Sequence, residues 1–355
     1  MDSITQIALG AVIGQAIGGR KLGAKAMIFG GLAGFIPDLD VLVTPIMERM
    51  GHHDEFSRWK YHRHVTHSLW FGPVLGSLMG WGLWKWYEKQ VGHLLPWIAV
   101  MILALLTHPL LDTCTIYGTQ LLAPFSDHRY FISSVSIIDP FYSLPLIFSL
   151  ILYRIKSTRF RSLQISRYIL FLTTAYLAFG WGLNFRAESL AKGQLAEKHI
   201  SYQRLDAYTT IFQPWLRRVV VWEPNEKLRV GFISTLSPSE IKWSCFQQSS
   251  SEIRQEILDT YEGRMMNWFS VDTLAVIPVD NGTVIRASDA RYGTPGEALL
   301  GWWGVEFVRD ENGALQYSGR NRAERDSSWH AIGQLFRAAY GLENGFLNSQ
   351  DQGCL

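Results

Sequence analysis

Three groups of histidine and aspartate residues stand at the edges of apolar segments, at residues 37–40, 62–67 and 107–112. Imidazole and carboxylate groups are common ligands of transition metals. Ionisable side chains next to membrane-spanning segments are costly and usually have a function. The three groups together offer more ligands than one tetrahedral site needs. They predict a zinc site or, with mixed nitrogen and oxygen ligands, a manganese, iron or two-metal site.

Asp38 and Asp40 follow Pro37 at the end of an apolar segment. Two carboxylates held close together repel each other unless a cation lies between them. In a regular helix they would point about 200° apart, so a shared site requires extended or broken backbone after Pro37. The alternative is that both aspartates cap a helix end among the lipid head groups.

The histidines allow several ligand geometries. His64 and His67 are three residues apart and would share a helix face, whereas His62 precedes them in a loop. His108 and Asp112, four residues apart, also share a face. The alternatives are interfacial histidines packed beside aromatic residues and a simple buried hydrogen bond between His108 and Asp112.

Three further residues could take part in catalysis. Arg63 would offer a planar fork of donors to a phosphate or carboxylate. His128 could bind substrate or support the ligands, and His128 or Asp139 could move protons. For Asp139 the alternative is a helix N-cap, because Pro140 follows it.

The elements that must position these residues change character along the 355-residue chain. Apolar segments of nearly membrane-spanning length predominate up to about residue 190, and charged residues with strand-like alternation follow. We therefore expect an all-α polytopic membrane domain at 1–190, a small extramembrane α+β domain at 200–345 and a tail at 346–355. The membrane domain is expected to have about six spans, of which the first could be re-entrant: 4–18, 24–44, 66–87, 94–116, 138–153 and 168–185.

Composition excludes some classes. A net charge of +2 and the lack of a basic arm argue against nucleic acid as a partner. Cys114, Cys245 and Cys354 are far apart and match neither a metal knuckle nor a disulfide framework, so we expect them to be unpaired.

Lysine and arginine in short loops predict the orientation. If the loop at 154–167 is cytoplasmic, alternation places the basic loops at 20–25 and 85–89 on the same side. The candidate metal site and the C-terminal domain are then expected on the non-cytoplasmic side.

The chain carries several motifs in a fixed order: MDSITQ at 1–6 with Gly10, IPDLD at 36–40, HRHVTHS at 62–68, and HPLLD at 108–112 with YGT at 117–119. Over roughly residues 1–145 this set resembles the YdjM-like family of membrane-bound, metal-dependent hydrolases. The family is also described as LexA-binding, inner-membrane-associated hydrolases.

The resemblance implies six metal-site residues: Asp38, Asp40, His62, His67, His108 and Asp112. Two positions depart from the family pattern. Gln6 stands where many members have a histidine, and His64 stands where they have a glycine. The first departure implies one ligand fewer, and the second leaves His64 without an assigned role.

These observations lead to two functional expectations. The first is an inner-membrane, metal-dependent hydrolase in which zinc, or else manganese or iron, activates water to cleave a lipid-like phosphoester or ester; a small-molecule substrate is also open. The alternative is a metal-stabilised scaffold or transporter without hydrolytic activity. In either case the bilayer is a partner, and the C-terminal domain could bind another protein.

Overall fold

Two glycine-rich helices, α1 (Ser3–Leu22) and α2 (Ala24–Phe35), form an antiparallel pair. A Cβ atom at Gly10 would lie 2.3 Å from the carbonyl oxygen of Gly30, and one at Gly30 would lie 2.3 Å from that of Gly10. Since real Cβ contacts are longer, only glycine lets these two backbones touch. The contact brings the N-terminal end of α1 beside the C-terminal end of α2.

The computed structural model describes residues 1–52, 54–87, 92–155, 159–293, 299–300, 302–321, 329–342 and 354. They divide into two units, Met1–Trp181 and Gly182–Leu355. The first unit continues from α2 with these elements: a 3₁₀ helix Ile36–Leu42, α3 Val43–Arg49, α4 Ser57–Tyr61, a 3₁₀ helix Val65–His67, α5 Phe71–Tyr87, α6 Leu94–Thr113, α7 Pro140–Arg154 and α8 Arg159–Glu197. The boundary between the units falls inside α8.

Two apolar clusters hold the first unit together. One packs α2 against α6 through Ala26, Ala33, Trp97 and Met101, with side chains of α5 around them. The other joins α1 to the end of α6 and to α7 and α8; its buried members include Leu9, Val12, Leu111, Leu146 and Ile169. Because α1, α2 and α6 take part in these clusters, their ends are fixed relative to one another.

The six predicted spans are not supported. Within the described part of the chain, three helical stretches are long and apolar enough to cross a membrane: Ala24–Arg49, Leu94–Thr113 and Arg161–Glu197; Pro140–Tyr153 is apolar but shorter. Helix α1 contains Gln6, Gln15 and two basic residues, and most of it is buried against protein. In the described part of the chain, helix α5 has 17 residues, at the lower limit of the roughly 17–25 that a span uses.

The second unit contains two four-stranded antiparallel sheets, ordered β1-β2-β3-β4 and β5-β6-β7-β8. Their strands are β1 Arg204–Thr209, β2 Leu216–Trp222, β3 Lys227–Ser234, β4 Ser244–Gln247, β5 Leu274–Val279, β6 Val284–Asp289, β7 Gly304–Arg309 and β8 Leu315–Asn321; the helices are α9 Ser251–Asp259, α10 Tyr261–Ser270 and α11 Trp329–Ala339. Ala187, Ala191 and Leu195 of α8 pack in the core of the first sheet. A helical N-terminal region with three candidate membrane spans among the described residues, followed by a small sheet-containing domain, is thus confirmed.

The cysteines correct a sequence-based expectation. Cys245 of β4 and Cys354 form a disulfide across 109 residues of sequence, whereas Cys114 is free. Spacing could not reveal the pair, because the fold brings the end of the chain to β4. The other residues of the predicted tail, 346–355, lie outside the described part.

Candidate metal centre

The backbone after α2 separates the two aspartates of the first group. Pro37 lies in the first turn of the 3₁₀ helix Ile36–Leu42, and both Asp38 and Asp40 are buried. A 3₁₀ helix has about three residues per turn, so residues two apart point in different directions. Asp38 accepts a 2.6 Å hydrogen bond from Ser3 Oγ of α1. Asp40 instead faces the segment 62–67, called the histidine loop below, where it contacts His62 and His67.

Four side chains from three segments converge beside the ends of α1, α2 and α6. One ligand-type atom from each of Asp38, His67, His108 and Asp112 lies within 4.8 Å of the others. The Nε2 atoms of His67 and His108 are 3.0 Å apart. From His67 Nε2, Asp112 Oδ2 lies at 3.3 Å and Asp38 Oδ1 at 3.8 Å; from His108 Nε2 the corresponding distances are 3.6 and 3.4 Å.

These distances fit a tetrahedral metal site. Zinc bound to nitrogen and oxygen at about 2.0–2.2 Å requires ligand atoms roughly 3.3–3.6 Å apart. The five separations that involve a histidine nitrogen, 3.0–3.8 Å, bracket that range, and the two carboxylate oxygens lie within 4.8 Å of each other. Asp112 Oδ2 is also buried, and Arg63 Nε lies 3.0 Å from it in an ion pair that lacks hydrogen-bond geometry. This oxygen therefore keeps lone-pair capacity that a metal ion at the cluster would satisfy.

The Nδ1 atoms of His67 and His108 point away from the cluster, and their partners fix how the two rings face it. His108 Nδ1 lies 2.7 Å from the carbonyl oxygen of Gly34, which can only accept a hydrogen bond. In its neutral form His108 must therefore carry its proton on Nδ1 and present the Nε2 lone pair to the cluster. His67 Nδ1 lies 3.1 Å from Asp40 Oδ2 and is oriented in the same way. Carboxylate and carbonyl partners of this kind are typical of metal-binding histidines.

The electrostatic environment also favours a positive charge at this point. Burial lowers the pKa of His67, but the neighbouring carboxylates of Asp112 and Asp40 outweigh it, so the pKa of His67 is raised. The carboxylates thus favour a positive charge at this ring, which a divalent ion could supply in place of the proton. The four residues could thus hold a divalent metal ion.

Asp40 and His62 lie next to this cluster rather than within it. Asp40 Oδ1 is 2.8 Å from His62 Nδ1, and Asp40 Oδ2 accepts hydrogen bonds from the backbone N–H of Arg63 and from Thr66 Oγ1. Burial and the neighbouring Arg63 charge lower the pKa of His62, against the opposing effect of Asp40. In this geometry Asp40 links the histidine loop to the back of His67.

Arg63 is buried behind Asp112. Its Nε atom is 3.0 Å from Asp112 Oδ2, and its Nη1 donates to Thr115 Oγ1 at 3.1 Å. Its guanidinium also lies over the ring of Tyr117, with Arg129 on the same ring. The contacts of Arg63 in the structure are therefore to the protein, and a role toward an anionic substrate stays a prediction.

Asp139 and His128, predicted as catalytic, and His64, which had no assigned role, lie outside the four-residue cluster. Asp139 caps α7 by accepting from the N–H groups of Phe141 and Tyr142, and it also accepts from the Tyr176 hydroxyl. His128 is exposed, with its ring against Tyr130. His64 precedes the 3₁₀ helix Val65–His67 and is half-buried; burial lowers its pKa. These three residues are not among the four clustered side chains.

Some contacts of the cluster were not anticipated from the sequence. Ser3 binds Asp38, and Gly34 binds His108 through its backbone oxygen. Gln6 donates to Asp112 Oδ1 at 3.0 Å and to the His108 carbonyl oxygen at 3.2 Å, so it also touches the cluster. The Met1 nitrogen contacts Asp112 Oδ1 as well. The motif at residues 1–6 signals Ser3 and Gln6, but no local pattern marks a backbone carbonyl such as that of Gly34.

Comparison with known proteins finds a match in the half of the chain that contains the candidate metal centre. The family model described as YdjM inner membrane protein matches residues 1–186. This match covers every residue of the candidate centre. Neither a curated protein nor a solved structure matches the chain.

Proposed function

Because this chain belongs to the YdjM inner membrane protein family, we propose that it is an integral membrane, metal-dependent hydrolase. The observation that carries the proposal is the convergence of Asp38, His67, His108 and Asp112 to within 4.8 Å. His108 and Asp38, 70 positions apart in sequence, meet with ligand atoms at 3.4 Å, a spacing typical of a metal site. A metal bound there would lower the pKa of a water molecule and polarise a phosphoryl or carbonyl oxygen.

The proposed ligands are Asp38, His67, His108 and Asp112, with zinc as the favoured ion and manganese or iron as alternatives. Two histidines with two carboxylates suit all three ions, whereas thiolate ligands, which would favour zinc alone, are absent from the four. Asp40 and Gly34 would orient the two imidazoles. Arg63 would hold Asp112 in place by its 3.0 Å contact.

A lipid-like substrate is favoured by the position of the site along the membrane helices. His108 and Asp112 lie in the last two turns of Leu94–Thr113, a candidate span, and Asp38 follows the C-terminal end of the apolar helix α2 at Phe35. A centre at the end of a span would lie near the head groups. We therefore propose a lipid phosphoester as the substrate, in preference to an acyl ester or a soluble small molecule.

We propose that the centre and the second unit face the non-cytoplasmic side of the inner membrane. This is the orientation predicted above from lysine and arginine in the short loops, a prediction that assumes six spans. The disulfide Cys245–Cys354 adds independent support, because disulfides persist in oxidising compartments and are rare in the cytosol. An alkaline phosphatase reporter fused after residue 342, which is active only where its own disulfides form, should be active; an inactive fusion would reverse the orientation.

One observation favours a different function. Four protein ligands fill a tetrahedral site, and a site of this kind is usually structural. The side chains of His67, His108 and Asp112 are at most 1% exposed, and that of Asp38 is 11% exposed. The second candidate is therefore a metal-stabilised membrane scaffold. For hydrolysis, water must enter by a fifth position or by displacement of Asp38, the most exposed of the four.

One set of measurements separates these functions. Protein purified in detergent is analysed for bound metal and assayed for phosphate released from phosphatidic acid and from phospholipid diesters. For the hydrolase we expect about one metal ion per chain and turnover that Asp112→Asn abolishes. Asp54→Asn is the matched control, since Asp54 lies outside the cluster and pairs with Lys60. Bound metal without turnover would favour the scaffold, and metal-free protein would contradict both.

A further inference from the structure

An apolar groove runs between α1, α2 and α7, on the outside of the first unit. It has a volume of about 800 Å³, within the range of small-molecule sites. Among the described residues that line it, every side chain except that of Tyr153 is apolar. Its walls include Ile7 and Ala11 of α1, Leu32 and Phe35 of α2, and Ile147 of α7.

One end of the groove adjoins the candidate metal centre. Ser3, whose hydroxyl binds Asp38 Oδ2 at 2.6 Å, is four residues before Ile7 and therefore shares its face of α1. Phe35 is three residues before Asp38, at the junction with the 3₁₀ helix. Asp38 is also the most exposed of the four clustered side chains. The groove thus begins about one helical turn from the edge at which the cluster is open.

The groove has the depth of one leaflet of a bilayer. Along α2 it extends from Ala24 to Phe35, which corresponds to about 16 Å at 1.5 Å per residue. The hydrocarbon core of a bilayer is ~30 Å thick, so one leaflet contributes roughly half of that. An acyl chain seated in one leaflet would match the groove in length and in its lack of polarity.

We propose that this groove binds one acyl chain of a membrane phospholipid whose head group lies at the Asp38 edge of the cluster. The proposal rests on the proposed function for the identity of the head group, but not for the apolar part. Transfer of an acyl chain from the bilayer into an apolar groove gains little hydrophobic energy, since lipid tails are as apolar as leucine. The groove would instead orient the lipid and select by chain length.

The chain offers a variant that fills the groove and a matched control. Leu32 lines the groove on α2 and is 54% exposed, so an indole placed there would enter the groove without disturbing the core. Leu78 on α5 is 62% exposed and does not line the groove. Leu32→Trp and Leu78→Trp therefore make the same chemical change on two apolar surfaces. Ile28→Trp is a second variant that fills the groove.

Photo-crosslinking of a lipid tests the proposal without requiring turnover. The full chain is placed in nanodiscs that contain phosphatidylglycerol with a diazirine at the end of one acyl chain, and labelled peptides are mapped after illumination. We expect label concentrated on α1, α2 and α7, with a decrease of at least about tenfold in Leu32→Trp, which corresponds to ~1.4 kcal/mol. Label in Leu78→Trp should match that of the unsubstituted chain.

Other results would overturn the proposal. Label spread evenly over the membrane-facing surface would mean ordinary boundary lipid, and equal loss in both tryptophan variants would mean that the groove is not selective. Protein-to-protein crosslinks within the groove would assign it to a second copy of the chain. Label in the groove without phosphate release would support the lipid site and contradict the hydrolase. Phosphate release without label in the groove would support the hydrolase and contradict the lipid site.

Discussion

Asp40 Oδ2 lies 3.1 Å from His67 Nδ1, on the opposite edge of the ring from the atom that faces the cluster. The same carboxylate binds His62 through its other oxygen at 2.8 Å. Asp40 therefore supports two histidines at once, although its oxygens are not those that converge on the candidate metal position. A buried carboxylate with this role fixes the orientation and proton position of a ligand.

Replacing Asp40 with asparagine should weaken metal binding without abolishing it. Substitution of such supporting partners typically costs about 10–100-fold in metal affinity. We expect Asp40→Asn to fall in this range, and Asp112→Asn to lose metal altogether at concentrations that saturate the unsubstituted chain. Competition with a chelator measures both. Equal losses in the two variants would make Asp40 a ligand, and Asp54→Asn serves as the unaffected control.

Removal of the buried Arg63 side chain should destabilise the first unit. Breaking a buried ion pair leaves an uncompensated charge and costs about 3–5 kcal/mol. In Arg63→Leu the buried carboxylate of Asp112 would lose one cationic partner but keep another, the Met1 amino group, so we expect a loss toward the lower end of that range. The free energy of unfolding should decrease accordingly, as measured by denaturation in mixed detergent micelles. Arg63→Lys keeps the charge but loses the planar fork, so its effect should be smaller; an equal effect would show that charge is not the important property.

Contact between the first two helices should be essential for metal binding, even though Gly10 and Gly30 touch none of the proposed ligands. A side chain at Gly30 would lie 2.3 Å from the Gly10 carbonyl oxygen and would push α1 and α2 apart. The Gly34 carbonyl would then move away from His108, so we expect Gly30→Val to reduce both stability and metal content. A Cβ atom at Gly82 in α5 would instead point into open space, with no packing neighbour within 4 Å. Gly82→Val should therefore keep its metal; loss in both variants would refute this explanation.

The disulfide should be detectable by counting thiols. Denatured chain should react with one maleimide, at Cys114, before reduction and with three after it. Cys245→Ser should react with two under both conditions, because Cys354 becomes free. Loss of a native disulfide typically costs about 2–5 kcal/mol, so this variant should also unfold at lower temperature. Three reactive thiols without reduction would contradict the pairing.

Local patterns in the sequence indicate much of the second unit. Glu223-Pro224-Asn225-Glu226 stands between two apolar alternating segments, a pattern typical of a hairpin, and the structure pairs Trp222 of β2 with Leu228 of β3. The turn around Asn281 likewise joins β5 and β6. Turn residues and alternation act over a few positions, so these elements could be found without knowledge of the fold. The Cys245–Cys354 pair depends on tertiary structure and could not.

The candidate site was predictable as a set of motifs but not as a geometry. Histidine and aspartate at the edges of apolar segments indicated that the three groups would meet, and the structure brings Asp38, His67, His108 and Asp112 together. Which aspartate of the first group faces the cluster depends on the rotation of a 3₁₀ helix, and that rotation is set by packing against α1 and the histidine loop. The excess of predicted spans has a similar cause, because protein contacts allow polar residues in α1.

The order of the clustered residues along the chain has a consequence for biogenesis. Asp38 is synthesised well before His67, and His108 and Asp112 emerge last. During insertion Asp38 and Asp40 therefore reach the membrane before His67 and His108, the side chains that lie beside them in the finished fold, have been synthesised. If the four groups bind a metal ion, they can do so together only after α6 has been inserted, so metal capture would mark the assembly of α1, α2 and α6 and make their insertion difficult to reverse.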